Sequence, residues 1–143
     1  MLENELHFLL LRAFNHSNSF ITQHVYDLNL LPGQPKILEY LLDHDGTIAK
    51  NISYDHVLDK STIASLLARL EKQNLIIRKN QPNDKRAYSI HLTEEGKDIA
   101  KKVKQICTKV DDIAFKNISP QDRQQFLQTL NTVINNLKEE NHQ

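Results

Sequence analysis

The chain has 143 residues, with 18 Lys and Arg against 18 Asp and Glu, so its formal net charge is zero. That length holds one domain, or a small domain with extended helices attached, and a hydrophobic content of 39% suffices for a core. No apolar run is long enough to span a bilayer, the N-terminal LHFLLLRAF is interrupted by His and Arg without a signal-like cleavage region, and a single cysteine excludes an intrachain disulfide and any Cys-rich zinc site. A cytoplasmic protein is expected.

In chain order, Leu6, Leu9, Leu10, Ala13, Phe14, Phe20, Ile21, Val25 and Leu28 predict a long first helix with a broad apolar face. Pro32 is expected to start a second helix, carrying Ile37, Leu38, Leu41 and Leu42 and ending at the turn around Asp45 and Gly46. Residues 49–56 form a short third helix. In the fourth, Ile63, Leu66, Leu67 and Leu70 recur at helical spacing and leave Lys60, Ser61, Thr62, Ser65, Arg69 and Lys72 on other faces. Asp59 or Ser61 caps its start, and Asn74 suits the left-handed conformation that closes many helices.

Residues 76–80 and 87–92 read as two short strands, with Tyr88, Ile90 and Leu92 alternating against Ser89 and His91. The tip between them, residues 81–86, carries Pro82, Asn83 and Asp84 and holds Lys85 and Arg86 outward. Thr93 then caps a long helix from Glu94 past Val110, and Ser119, Pro120 and Asp122 start a last one bearing Phe126, Leu127, Leu130, Val133, Ile134 and Leu137. Cys107 lies in the periodic series Val103, Ile106, Cys107, Val110, Ile113, which makes it a buried helix residue rather than a redox sensor.

A zero net charge argues against a polyanion partner until the charge is mapped. Residues 1–59 hold three Lys/Arg and eight Asp/Glu, residues 60–92 hold seven and two, and residues 93–143 hold eight of each, giving −5, +5 and 0. The positive charge sits on the capped helix and the hairpin. Phosphate neutralisation supplies most nonspecific DNA affinity, so this local excess outweighs the global balance.

The segments LPGQPKILEYL, LDKSTIASLLARLEKQNLIIRK and PNDKRAYSIHLTEEGK, in that order, resemble the winged helix-turn-helix of the MarR family of bacterial transcriptional regulators. The resemblance implies a mainly α fold with a small two-stranded β wing and long terminal dimerisation helices. Residues 1–31 and 94–143 would form the helical dimerisation region, and residues 32–93 the DNA-binding region. It implies a homodimer on a palindromic operator, with Ser61, Thr62 and Ser65 reaching phosphates or base edges in the major groove and Lys60 reaching the backbone. Arg69 would support the wing or grip phosphate, Lys85 would enter the minor groove with Arg86 beside it, and Asp84 would brace the loop by an ion pair.

The sequence departs from the family at Ser65, where relatives often carry arginine, and at Ala64, often threonine, which shifts weight from base reading towards the wing and DNA shape. Asn74 replaces the usual glycine at little cost. Val57, β-branched, is expected to resist a left-handed backbone, so that the turn or helix boundary differs, and Ser53 and Tyr54 also depart from the pattern.

The same resemblance implies a small-molecule effector in a crevice between dimer helices and winged unit, with His16, Phe20, His24, Tyr40 and His44 as lining residues. Ligand-responsive repression is the expected mode. The seven His show no HxxxH or HExxH pair, and the three Gly build no phosphate loop or nucleophile elbow, so neither a metal, a cofactor nor an enzyme is expected. Two alternatives stay open: a winged-helix protein-interaction module without DNA binding, and a redox- or metal-responsive regulator.

Overall fold

Two prolines and two left-handed residues set the first corner of the structure, a computed structural model that describes residues 1–81 and 83–141, with the backbone alone at residues 84–86. Helix α1 (Leu6–Val25) runs into a 3₁₀ turn at Tyr26–Leu28, which Asn29 closes at φ 59°. Helix α2 (Gln34–Asp43) starts after Gly33, whose φ of 91° is one that L side chains rarely adopt, and Pro35 fills its first turn, where a missing N–H costs nothing. Pro32 lies in the preceding turn rather than at the helix start, since the left-handed Gly33 interrupts the helical path.

Strand β1 (Thr47–Ile48), helix α3 (Ala49–His56), helix α4 (Lys60–Lys72), strands β2 (Ile76–Gln81) and β3 (Asp84–Leu92) and helix α5 (Glu94–Ala114) follow. The hairpin β2–β3 is the expected wing, and β1 adds a third strand that the sequence does not announce, giving the antiparallel order β1-β3-β2. Thr47 pairs with Ile90 and Ile48 with Ser89 on one side of β3, while Ile76 pairs with Leu92 and Asn80 with Tyr88 on the other. The register then shifts, so that Gln81 faces Asp84 and the strands reach further into the tip than residues 80 and 87.

Ile37, Leu38 and Leu41 of α2, Ile52 of α3, and Ile63, Leu67 and Leu70 of α4 form one core with Leu75, Ile76, Ile90, Leu92 and Ala100. Each fully enclosed Leu or Ile contributes about 1.5–3 kcal/mol relative to exposure. Enclosure of these residues fixes α4 on the sheet and leaves its opposite face to solvent. By contrast α1 buries Val25 alone, and Leu6, Leu9, Leu11 and Phe14 stay exposed.

The chain divides into two units, residues 1–108 and 109–143. In the second, Ser119 Oγ accepts the Asp122 N–H at 3.1 Å and caps helix α6 (Pro120–Asn141), as its Ser-Pro-x-Asp start foretells. Arg123 pairs with Asp112 at 3.0 Å and lies over the Phe115 ring at 4.6 Å, and Phe115 meets Phe126 edge to face. No residue of α6 is buried, so Phe126, Leu127, Ile134 and Leu137 present an apolar face to solvent.

Candidate nucleic-acid interface

The start of α4 is fixed by Asp59. Its Oδ1 accepts the Thr62 N–H at 2.7 Å and the Ser61 hydroxyl at 2.9 Å, satisfying a donor that the first helical turn otherwise leaves unpaired. These hydrogen bonds, the Thr62 N–H first, hold the Asp59 carboxyl below its ordinary value. Asp59 is therefore the cap, and Ser61 spends its proton on the cap rather than offering it outward. What Ser61 presents to solvent is an acceptor oxygen and the helix N-terminus around it.

The turn into α4 is built by a residue expected to refuse it. Val57 takes φ 54° and ψ 47°, a left-handed conformation, and α3 spans the expected residues 49–56. Three hydrogen bonds over-determine the corner: the Val57 N–H to the Tyr54 carbonyl at 3.2 Å, the Leu58 N–H to the Ser53 carbonyl at 3.1 Å, and the Ser53 hydroxyl to the Leu58 carbonyl. The expected change of geometry is thus absent, and Ser53, a departure in the sequence, closes the turn that Val57 strains.

On α4 the buried Ile63, Leu67 and Leu70 occupy one face, and Lys60, Ser61, Thr62, Ser65, Arg69 and Lys72 are all exposed. Ser61, Ser65 and Arg69 follow at intervals of four and form one outward stripe. Among the described residues neither Lys60, Arg69, Lys72 nor Lys79 is engaged in an ion pair, whereas Arg78 of β2 is held by Glu71 of α4, Nε to Oε2 at 3.4 Å. That pair ties wing to helix, a task the sequence had suggested for Arg69. The expected positions of the Lys85 and Arg86 side chains and the Asp84 ion pair lie outside the described residues.

The wing is anchored at its base from several sides. Asp45 Oδ1 accepts the Leu92 N–H at 2.8 Å, its Oδ2 lies 3.6 Å from His91 Nδ1, and the Gly46 N–H donates to the Ile90 carbonyl at 2.8 Å. Thr93 Oγ1 accepts the Gly96 N–H at 2.9 Å, capping α5, and donates to the Asn74 carbonyl at 2.7 Å. Asn74 is left-handed, φ 61°, as its place at the end of α4 requires. Asp45, read from sequence as a turn residue, is also a clasp on the wing; its only sequence signal is a short turn with Gly46.

The five effector candidates fall into two stacked pairs and one isolated residue. Phe20 and His24 stack on α1 with ring centres 4.0 Å apart, Tyr40 and His44 stack on α2 at 4.0 Å, and His16 is exposed on α1. Tyr40 also meets the edge of His56 and donates its hydroxyl to Asp55, and burial followed by the Asp55 hydrogen bond and charge pushes the phenol up to about 12. His24, His44 and His56 each place Nδ1 within 2.9–3.0 Å of the carbonyl four residues back. No ring contact joins the two pairs among the described residues, and none of their His, Cys, Asp and Glu side chains gather into a group of three or more that could hold a metal. Cys107 is half-buried rather than enclosed.

A capped helix with an apolar inner and polar outer face, preceded by a tight helix turn and followed by a basic hairpin, defines a winged helix-turn-helix protein. The MarR family model matches residues 30–88, the segment from the loop before α2 into β3. The chain belongs to the MarR family. It is 29% identical over 140 residues to the organic hydroperoxide resistance transcriptional regulator of Bacillus subtilis strain 168, covering 98% of this chain and 94% of that one. Its fold is shared with a MarR family regulator of Listeria monocytogenes solved with a 26mer DNA, at TM-score 0.92 and 20% identity over 96% of this chain and 91% of that one. CouR of Rhodococcus jostii RHA1, solved with p-coumaroyl-CoA, matches at TM-score 0.82 and 22% identity over 93% and 94%. No helix among the described residues is long and apolar enough to cross a membrane.

Proposed function

We propose that this protein is a cytoplasmic homodimeric regulator of transcription that binds double-stranded DNA sequence-specifically and represses by occupying a palindromic operator. The observation that carries this reading is the outward stripe of Ser61, Ser65 and Arg69 on a helix whose other face is sealed into the core, beside a wing in the segment of charge +5. Lys60 and Arg69 contact phosphates, the start of α4 enters the major groove with Ser61, Thr62 and Ser65, and Lys85 with Arg86 reaches the minor groove. The exposed leucines of α1 and the exposed face of α6 are covered by a second copy, which sets two reading heads on one duplex.

The p-coumaroyl-CoA bound to CouR supports a ligand-responsive regulator, with Phe20 and His24, Tyr40 and His44, and His16 as the groups meeting an effector. Such a ligand acts only through unequal affinity for the DNA-competent and DNA-incompetent arrangements.

Selection of bound duplexes from a random pool is the direct test. A palindrome with half-sites about one helical turn apart is expected, and Lys85→Ala with Arg86→Ala should weaken its retention and lower the salt slope by about two, one per lost phosphate contact. Recovery of no enriched duplex, or a salt slope indifferent to both substitutions, would overturn the reading of the helix or of the wing respectively.

A further inference from the structure

Gln34 is the buried polar side chain of the described core, wholly inaccessible at the first position of α2. A buried amide without partners is costly, yet this one is fully engaged. Its Oε1 accepts the Leu31 N–H at 2.8 Å, while its own backbone N–H returns to the Leu31 carbonyl at 3.1 Å. Its Nε2 donates to Gln73 Oε1 at 2.6 Å, and Gln73 Nε2 donates onward to the Asn29 carbonyl at 3.3 Å. Gln73 is the C-cap of α4, and Asn29 is the left-handed residue that ends the segment leaving α1. Two turns earlier on the same side of α4, the Leu66 methyls sit where a Cβ on Gly33 would come within 3.1–3.2 Å.

The loop of residues 29–33 is thereby clamped to α4 at Leu66 and Gln73, seven residues apart along one helix face. The geometry points to Gln34 and Gln73 as positioning residues for DNA binding: an amide relay that sets the recognition helix against the segment leaving α1. The inference rests on the DNA-binding reading above and adds to it a route by which displacement of α1 moves α4. Every link is a neutral amide or a backbone group, so the relay is insensitive to pH and salt. It is distinct from the charges that hold phosphate, because Gln34 and Gln73 sit at the end of α4 remote from Asp59 and the groove-facing turn.

Operator recognition requires both α4 helices of a dimer in register with two half-sites, whereas nonspecific binding needs only cationic surface near phosphate. A relay that positions α4 therefore acts on the ratio of the two. Gln73→Met should lower affinity for the duplex selected by the wild-type protein about tenfold, within the range of intramolecular coupling, and leave affinity for a scrambled duplex of equal length unchanged. Gln34→Met should do the same, and the double variant should lose no more than either single one, because each breaks one chain. Gln73→Glu keeps an acceptor for Gln34 Nε2 and should recover most of the ratio.

Gln73 is half-buried, so its two variants decide the matter even if Gln34→Met does not fold. Equal losses on operator and scrambled duplex, or losses that multiply in the double variant, would reduce the amides to a structural brace and overturn the relay. A wild-type protein that enriches no duplex sinks the DNA reading and the relay with it; a wild type that binds while Gln73→Met binds equally well sinks the relay alone.

Discussion

Helices α2 and α1 carry the same kind of apolar periodicity, yet Leu38 and Leu41 are 0% exposed while Phe14 is 65% exposed and Leu11 54%. The difference lies in what the chain supplies opposite each face. Helix α2 meets α4 and the sheet within its own unit, whereas the exposed side of α1 has no such partner among the described residues of that unit. Periodicity reports that a face is to be buried; it is silent on whether the same chain buries it.

The largest expected effect breaks the packed region. A Cβ on Gly96 would lie 2.0 Å from the Leu75 carbonyl oxygen, a backbone atom that cannot swing aside. Gly96→Ala should therefore pry the start of α5 from the end of α4 and cost about 3 kcal/mol, the upper part of the overpacking range, in denaturant unfolding. Wild-type stability in that variant would mean that α5 is not seated on Leu75. The next effect breaks the exposed region instead. Phe14→Asp removes no buried contact in the single chain, but it places a charge on the face assigned to a second copy. Because a twofold interface repeats every change, the loss of about 3 kcal/mol per buried Phe doubles, and the dimer dissociation constant should rise more than a thousandfold by sedimentation. A dimer undisturbed by Phe14→Asp would place the interface elsewhere.

Much of the packed region was legible because local chemistry and pattern agree there. Residues 49–56 emerge as α3 at both ends, Thr93 and Ser119 cap where their spacing to Gly96 and Asp122 requires, and Asn74 ends α4 left-handed. The illegible features are long-range. Strand β1 has two residues and no periodicity, and exists only through Ile90 and Ser89 more than 40 positions later. Gln34 reads as a surface residue until Gln73 is placed beside it, and Glu71 has no visible claim on Arg78 until the wing folds back. At the interface the outward stripe of α4 was legible from the 63, 67, 70 pattern. The commitment of the Ser61 proton to Asp59 was not, since a cap and its neighbour compete for the same donors.

A smaller effect sharpens the comparison from the start of α4. The folded Asp59 carboxyl lies below its ordinary value of 3.8, so the stability it contributes is complete above that value and is lost as pH falls through the lowered one. Asp59→Ala should lower the melting temperature by a few degrees at neutral pH, and the gap to the wild type should close well below pH 3.8. A gap of equal size at both pH values would show that the side chain's shape, not its charge, caps the helix.

The smallest effect lies at the corner between α3 and α4, where local preference and global fold disagree. A non-glycine residue in the left-handed region carries a cost of roughly 1–2 kcal/mol, largest for a β-branched side chain and small for asparagine, whose short amide tolerates the conformation. Val57 is 82% exposed, so its side chain offers little packing in return, and the hydrogen bonds through Ser53, Tyr54 and Leu58 hold the corner regardless of the residue at its apex. Val57→Asn should therefore stabilise the winged unit by up to about 1 kcal/mol in chemical denaturation, with operator affinity retained because the corner keeps its path. A loss of stability would mean that the Val57 methyls are covered in the working assembly, and equal stability with weakened operator binding would show that the strained corner itself aims the start of α4.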